Sequence, residues 1–96
     1  MKKFVLVHNG YREPTQDIMD AWMKWFASIG DKMVDNVGPL GSGREVSKTG
    51  TKELALGLDS LTGFTVISAE SMSDAEKIAQ SCPMITSIRV YEVMSM

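Results

Sequence analysis

The chain has 96 residues, 44% of them hydrophobic and 23% charged, a balance that excludes a disordered chain and suits one small globular domain. Its 12 acidic and 10 basic residues are spread along the chain to a net charge of −2, which offers no electrostatic footprint for nucleic acid or an anionic membrane. A single cysteine, Cys82, excludes an intrachain disulfide and a cysteine-built zinc site and points to a reducing cytoplasm, and no window reaches the ~20 apolar residues of a membrane helix.

Lys3 to His8 are aliphatic, aromatic or β-branched and run into Asn9-Gly10, the pattern of a buried strand with a stop. Alternation places Phe4, Leu6 and His8 on one face and Val5 and Val7 on the other, so both faces expect a cover. "PTQDIMDAWMKWFASIGDKMVDN" then carries Ile18, Trp22, Trp25, Phe26, Ile29 and Met33 at helical spacing, with Thr15 as the cap and Asp17 in the first turn. Met19 and Met23 widen this stripe, and the helix is expected to end near Asn36.

Glycines and a proline in "GPLGSGREVSKTGTKELALG" break the helix, and "REVS" and "TKEL" around "KTG" predict a polar, projecting hairpin with Gly50 at positive φ. Phe64 to Ala69 predicts a further strand. Ser73 and Glu76 have capping-box spacing for a second helix through Ala75, Ile78, Ala79 and Cys82 to Pro83, and "SIRVYEV" predicts a last strand with Ile88 and Val90 facing away from Arg89 and Tyr91. This order predicts an α+β sandwich: a ferredoxin-like split βαβ arrangement with an inserted β-hairpin and both helices on one sheet face. The other face, apolar at Val5 and Val7, predicts a homodimer in which two sheets pack together.

"KKFVLVHNG", the Trp-rich first helix, the Gly-Pro turn, "TGFTVISAESMSDAEKIAQSCP" and "SIRVYEV" together resemble the YCII-related family over nearly the whole chain. The resemblance implies one domain, 1–96, with a dimeric ferredoxin-like α/β-barrel fold in a superfamily of isomerases, lyases and monooxygenases acting on small aromatic or lactone compounds. Some relatives use a histidine of the first helix together with an aspartate. Here that helix carries Trp22 and Trp25 instead, and the sole histidine, His8, lies on the first strand. Asp35, just before the Gly-Pro turn, resembles the family's acidic position.

These residues define the candidate site. His8 is the candidate acid/base, because imidazole titrates near neutrality and a strand end aims it into a pocket; the other reading is a single hydrogen bond at the sheet rim. Asp35 is its candidate partner, with Asp31 and Asp59 behind it. Arg44 and Arg89 suit a small anionic ligand, since a guanidinium grips a carboxylate through two hydrogen bonds, and Arg89 faces a dimer cavity with Tyr91 if its strand face is turned inward. Trp22, Trp25 and Tyr11 suit the walls of an aromatic-binding pocket, with at least one tryptophan expected in the core.

"GPLGSGR" has neither the spacing nor the strand-to-helix setting of a phosphate loop, and the sheet lacks the aromatic motif of RNA-binding domains. The eight methionines, Met94 and Met96 among them, read as adaptable packing rather than metal ligands; no metal or cofactor is expected. The function expected is small-molecule binding, in an enzyme of lyase or isomerase type that uses His8, or in a non-catalytic dimeric binding or accessory module.

Overall fold

A computed structural model describes residues 1–94; the expectation for Met96 lies outside the described residues. The chain runs β1 (Lys2–Asn9), α1 (Gln16–Ser28), β2 (Met33–Val37), β3 (Gly43–Ser47), β4 (Gly50–Leu54), β5 (Leu61–Ala69), α2 (Met72–Gln80) and β6 (Ser87–Glu92). Four strands form a sheet in the order β2-β5-β1-β6, every neighbouring pair antiparallel. β1 and β2 therefore run in the same direction with β5 between them, the split βαβ arrangement. β3 and β4 form a separate two-stranded sheet. It is exposed throughout and turns at Gly50, whose φ of 145° is open to glycine at little cost.

Alternation along β1 and β5 decides the layers. Phe4, Leu6 and His8 are buried on one face with Thr65, Ile67 and Ala69, and the register pairs Phe4 with Ile67 and Leu6 with Thr65. Trp25 and Ile29 from α1 and Ala75, Ala79 and Cys82 from α2 and its end complete this core. On the opposite face Val5 pairs with Val66 and Val7 with Phe64, and these four side chains are half-buried.

Two elements depart from the sequence expectation. α1 begins at its expected cap, where the Thr15 hydroxyl accepts from Ile18 N at 3.2 Å, but it ends at Ser28 rather than near Asn36. A turn follows in which Lys32 N and Met33 N both donate to Ile29 O, at 2.8 and 2.9 Å. Met33–Val37 then pairs with β5, with a shift of register between Met33 and Asp35. Met33 continues the helical spacing of Ile29, yet the segment "MVDNV" is rich in β-branched residues and gains a strand's pairing, which outweighs local periodicity. α2 is capped by Ser71, which accepts from Asp74 N at 3.2 Å, and not by Ser73. Among the described residues no helix is long and apolar enough to cross a membrane.

Candidate functional site

His8 ends the buried row of β1 and is 8% exposed. The residue directly opposite it on β5 is Gly63, which has no side chain, so the imidazole meets the next residue on that face, Thr65, along the diagonal. Nε2 lies 2.8 Å from Thr65 Oγ1, and Thr65 Oγ1 donates to Asn36 Oδ1 at 2.7 Å. Three neighbouring strands, β1, β5 and β2, thus contribute one residue each to a line of hydrogen bonds across the sheet. Gly63 also lets β2 come close: a Cβ there would sit 2.7 Å from Val37 O.

The hydroxyl of Thr65 has one proton, and that proton is directed to Asn36 Oδ1. Its remaining lone pairs accept, so the nitrogen facing it carries hydrogen, and neutral His8 is assigned as the Nε2–H tautomer. Nδ1 is then the lone-pair nitrogen. It is buried and, among the described residues, has no hydrogen-bond partner. Burial, with no neighbouring charge to offset it, lowers the His8 pKa from 6.5 to about 4, so the ring is neutral around pH 7.

Beside this imidazole, between α1 and the β2–β5–β1 side of the sheet, lies a cavity of about 460 Å³. Its walls are mostly apolar. Ile18, Met19, Trp22, Met23 and Phe26 line it from α1, and Asn36, Val37 and Thr62 from the strands. The loop after β1 adds Tyr11 and Arg12, and Arg12 is the charged side chain among the lining residues. Gly10 makes the turn into this loop at φ 115°, where a Cβ would lie 2.6 Å from Thr86 Oγ1.

The two tryptophans divide between wall and core. Both stand edge-on to the imidazole, Trp22 with its centroid at 5.1 Å and Trp25 at 5.8 Å. Trp22 is half-buried and lines the cavity. Trp25 is 3% exposed and donates through Nε1 to Ser81 Oγ at 3.0 Å and Ile78 O at 3.3 Å, which ties α1 to α2. Trp25 is the tryptophan that the core claims.

Of the residues singled out in the sequence, the structure brings His8, Trp22 and Tyr11 to one cavity and leaves the others elsewhere. Asp35 is exposed and pairs with Val66 on the sheet face opposite His8; its Oδ1 accepts from Asn36 N at 2.8 Å. Arg89 and Tyr91 share that far face, where they pair with Val7 and Val5. Tyr91 is 54% exposed there. Arg44 sits on the exposed hairpin opposite Glu53. Asp31 and Asp59 do not line the cavity.

Sequence reasoning missed Asn36, Thr65 and Arg12. Thr65 did leave a signal, as a polar residue in the row of Ile67 and Ala69. Cys82 is buried and burial pushes its thiol up to about 12, so it is no ready nucleophile. Among the described residues no group of three or more acidic, histidine or cysteine side chains is placed to hold a metal ion.

This arrangement can strip water from a small flat molecule beside a neutral imidazole whose Nδ1 is covered in the described conformation. No family model matches the chain, and no curated protein matches it. Among solved structures it is similar to 5-chloro-2-hydroxyhydroquinone dehydrochlorinase (TftG) from Burkholderia phenoliruptrix AC1100, in complex with 2,5-dihydroxybenzoquinone. The TM-score is 0.62 at 15% identity, over 98% of this chain and 95% of that one. That likeness shows a shared fold, consistent with the ferredoxin-like architecture.

Proposed function

We propose that this protein is a small-molecule-binding protein of YCII-related type whose ligand occupies the cavity beside His8. The observation that carries this reading is a mostly apolar, 460 Å³ cavity bordered by a buried imidazole with an unpartnered Nδ1. A few polar groups converging on apolar walls is the usual make-up of a ligand site. The quinone complex of the TftG structure, which has the same fold, adds support for a flat, oxygen-bearing ring as the ligand class.

In the catalytic form of this proposal His8 Nδ1 takes a proton from the bound molecule and returns it elsewhere, as a lyase or isomerase step requires. With a pKa of about 4 the imidazole is a weak base, suited to an acidic hydroxyl rather than to an ordinary C–H bond. That weakness favours the second reading, in which the site binds without turning its ligand over. Asp35 does not serve His8 within one chain in this proposal, and Arg12, rather than Arg44 or Arg89, is the cation at the cavity.

The half-buried Val5, Val7, Phe64 and Val66, with Arg89 and Tyr91 beside them, support a homodimer through this sheet face, and the single cysteine supports a reducing cytoplasm. Native mass spectrometry against a panel of small aromatic compounds tests the ligand. Specific binding that is lost in Trp22→Ala and His8→Gln is expected; no binding by any ring compound overturns the reading. Sedimentation at micromolar concentration tests the dimer, and a pure monomer overturns it.

A further inference from the structure

We infer that Thr65 and Asn36 lock His8 in its Nε2–H form, and that this lock makes the cavity selective for a ligand that donates a hydroxyl hydrogen bond to Nδ1. The inference rests on the reading of the cavity as a ligand site and names the class of ligand that it takes. It starts from the direction of one chain of hydrogen bonds. Asn36 Oδ1 has no proton to give, so it fixes where the Thr65 proton goes. Thr65 Oγ1 then accepts from His8 Nε2, and a neutral ring has no second proton for Nδ1.

The wall chemistry narrows the ligand further. A molecule that offers Nδ1 only a carbonyl or carboxylate oxygen sets lone pair against lone pair, in a cavity whose one lining cation, Arg12, is exposed on the loop after β1. A planar hydroxyl compound fits both the aromatic wall and the bare nitrogen. In the described conformation Nδ1 is covered, and Trp22 is the cavity-lining ring nearest the imidazole. A donor that reaches the nitrogen therefore needs the side chains packed on the imidazole to shift, while Trp22 stays a wall of the cavity and Trp25 keeps its hydrogen bonds to α2. Asn36 and Thr65 act through His8 and are positioning residues.

His8 is the sole histidine, so the full chain labelled with ¹⁵N gives one imidazole pattern in a long-range ¹H–¹⁵N spectrum. At neutral pH the expected result is a hydrogen-bearing Nε2 and a bare Nδ1. Asn36→Leu frees the Thr65 hydroxyl to turn and donate to Nε2, so the population moves towards the Nδ1–H form. Asn36 is exposed, and a dispersed amide spectrum checks that the variant is folded. Thr65→Val, close in shape, removes the acceptor and gives a mixture of tautomers. A wild-type ring with hydrogen on Nδ1, or tautomers unmoved by both variants, overturns the lock.

Phenol and benzoate then probe selectivity in the same spectra. Phenol is expected to bind roughly tenfold tighter than benzoate, the worth of about one neutral hydrogen bond, and to shift the Trp22 indole signal more than that of Trp25. The preference shrinks in Asn36→Leu. Benzoate binding as tightly as phenol overturns the selectivity alone; a locked ring that neither probe approaches overturns the ligand cavity, with the tautomer assignment left standing.

Discussion

The two helices cover one sheet face by opposite means. α2 presents Ala75 and Ala79, both buried, and comes close to β1, β5 and β6 over small side chains. α1 presents Trp22, Trp25 and Phe26 and makes no comparably close approach to the strands. Small residues bring backbones together and seal the layer, whereas large rings prop the helix off the sheet and leave space between them. The closed side holds the fold together and the propped side holds the cavity. Trp25 joins the two, with its ring in the core and its indole N–H on Ser81 and Ile78 O.

Removing that joint is the harshest test of the contrast. Trp25→Ala is expected to cost about 3–5 kcal/mol in urea unfolding, as a buried aromatic does, because the loss reaches both helices. A cost below 1 kcal/mol would show that α1 and α2 are not coupled through this ring. Next comes proton linkage at His8. Its folded pKa of about 4 lies below the ordinary 6.5, so the unfolded chain binds the proton more readily. Stability is fully present above pH 6.5 and falls as pH drops towards 4, by roughly 3 kcal/mol in all. Subtracting the pH profile of His8→Gln isolates this part from the carboxylates, and a zero difference would mean that the imidazole is not buried as described.

On the closed side, Ala75→Leu overfills a layer without space and is expected to lose about 1–3 kcal/mol. The smallest effect falls on the propped side: Trp22→Ala, at a half-buried position, is expected to lose about 1 kcal/mol while abolishing binding of ring compounds. If Trp22→Ala proved the more damaging to stability of these two, the contrast between a sealed half and an open half would fail.

The same contrast marks how far the sequence could be read. β1, the hairpin with Gly50, the faces of β6 and the cap of α1 follow from alternation, turn chemistry and side-chain acceptors, all of which are local. β2 does not, since Ile29 and Met33 keep helical spacing across a turn and only pairing with β5 turns "MVDNV" into a strand. Asp35, chosen from the family resemblance, lies in this same strand. In a strand, neighbours face opposite ways, so the carboxylate of Asp35 points to the face away from the helices, whereas the amide of Asn36 reaches Thr65 on the helix side. The placement of Arg89 likewise depended on which face the helices take. His8 and Trp22 were legible because strand alternation and helix periodicity each turn them to the core side of their element, whereas Tyr11, on the loop after β1, was picked for its aromatic ring alone.

β2 and β5 are direct neighbours in the sheet although residues 38–60 separate them in the chain. Val37 pairs with Phe64, and Leu40 N donates to Thr62 O at 2.7 Å, so the excursion leaves and returns at one point. Loop-closure entropy makes such a detour tolerant of length, at about 0.6 kcal/mol per doubling. Its two feet, Val37 to Pro39 and Thr62 to Gly63, stand on the rim of the cavity. Insertions, deletions or grafted peptides between those feet can therefore reshape the mouth of the site while the scaffold that orients His8 stays as it is.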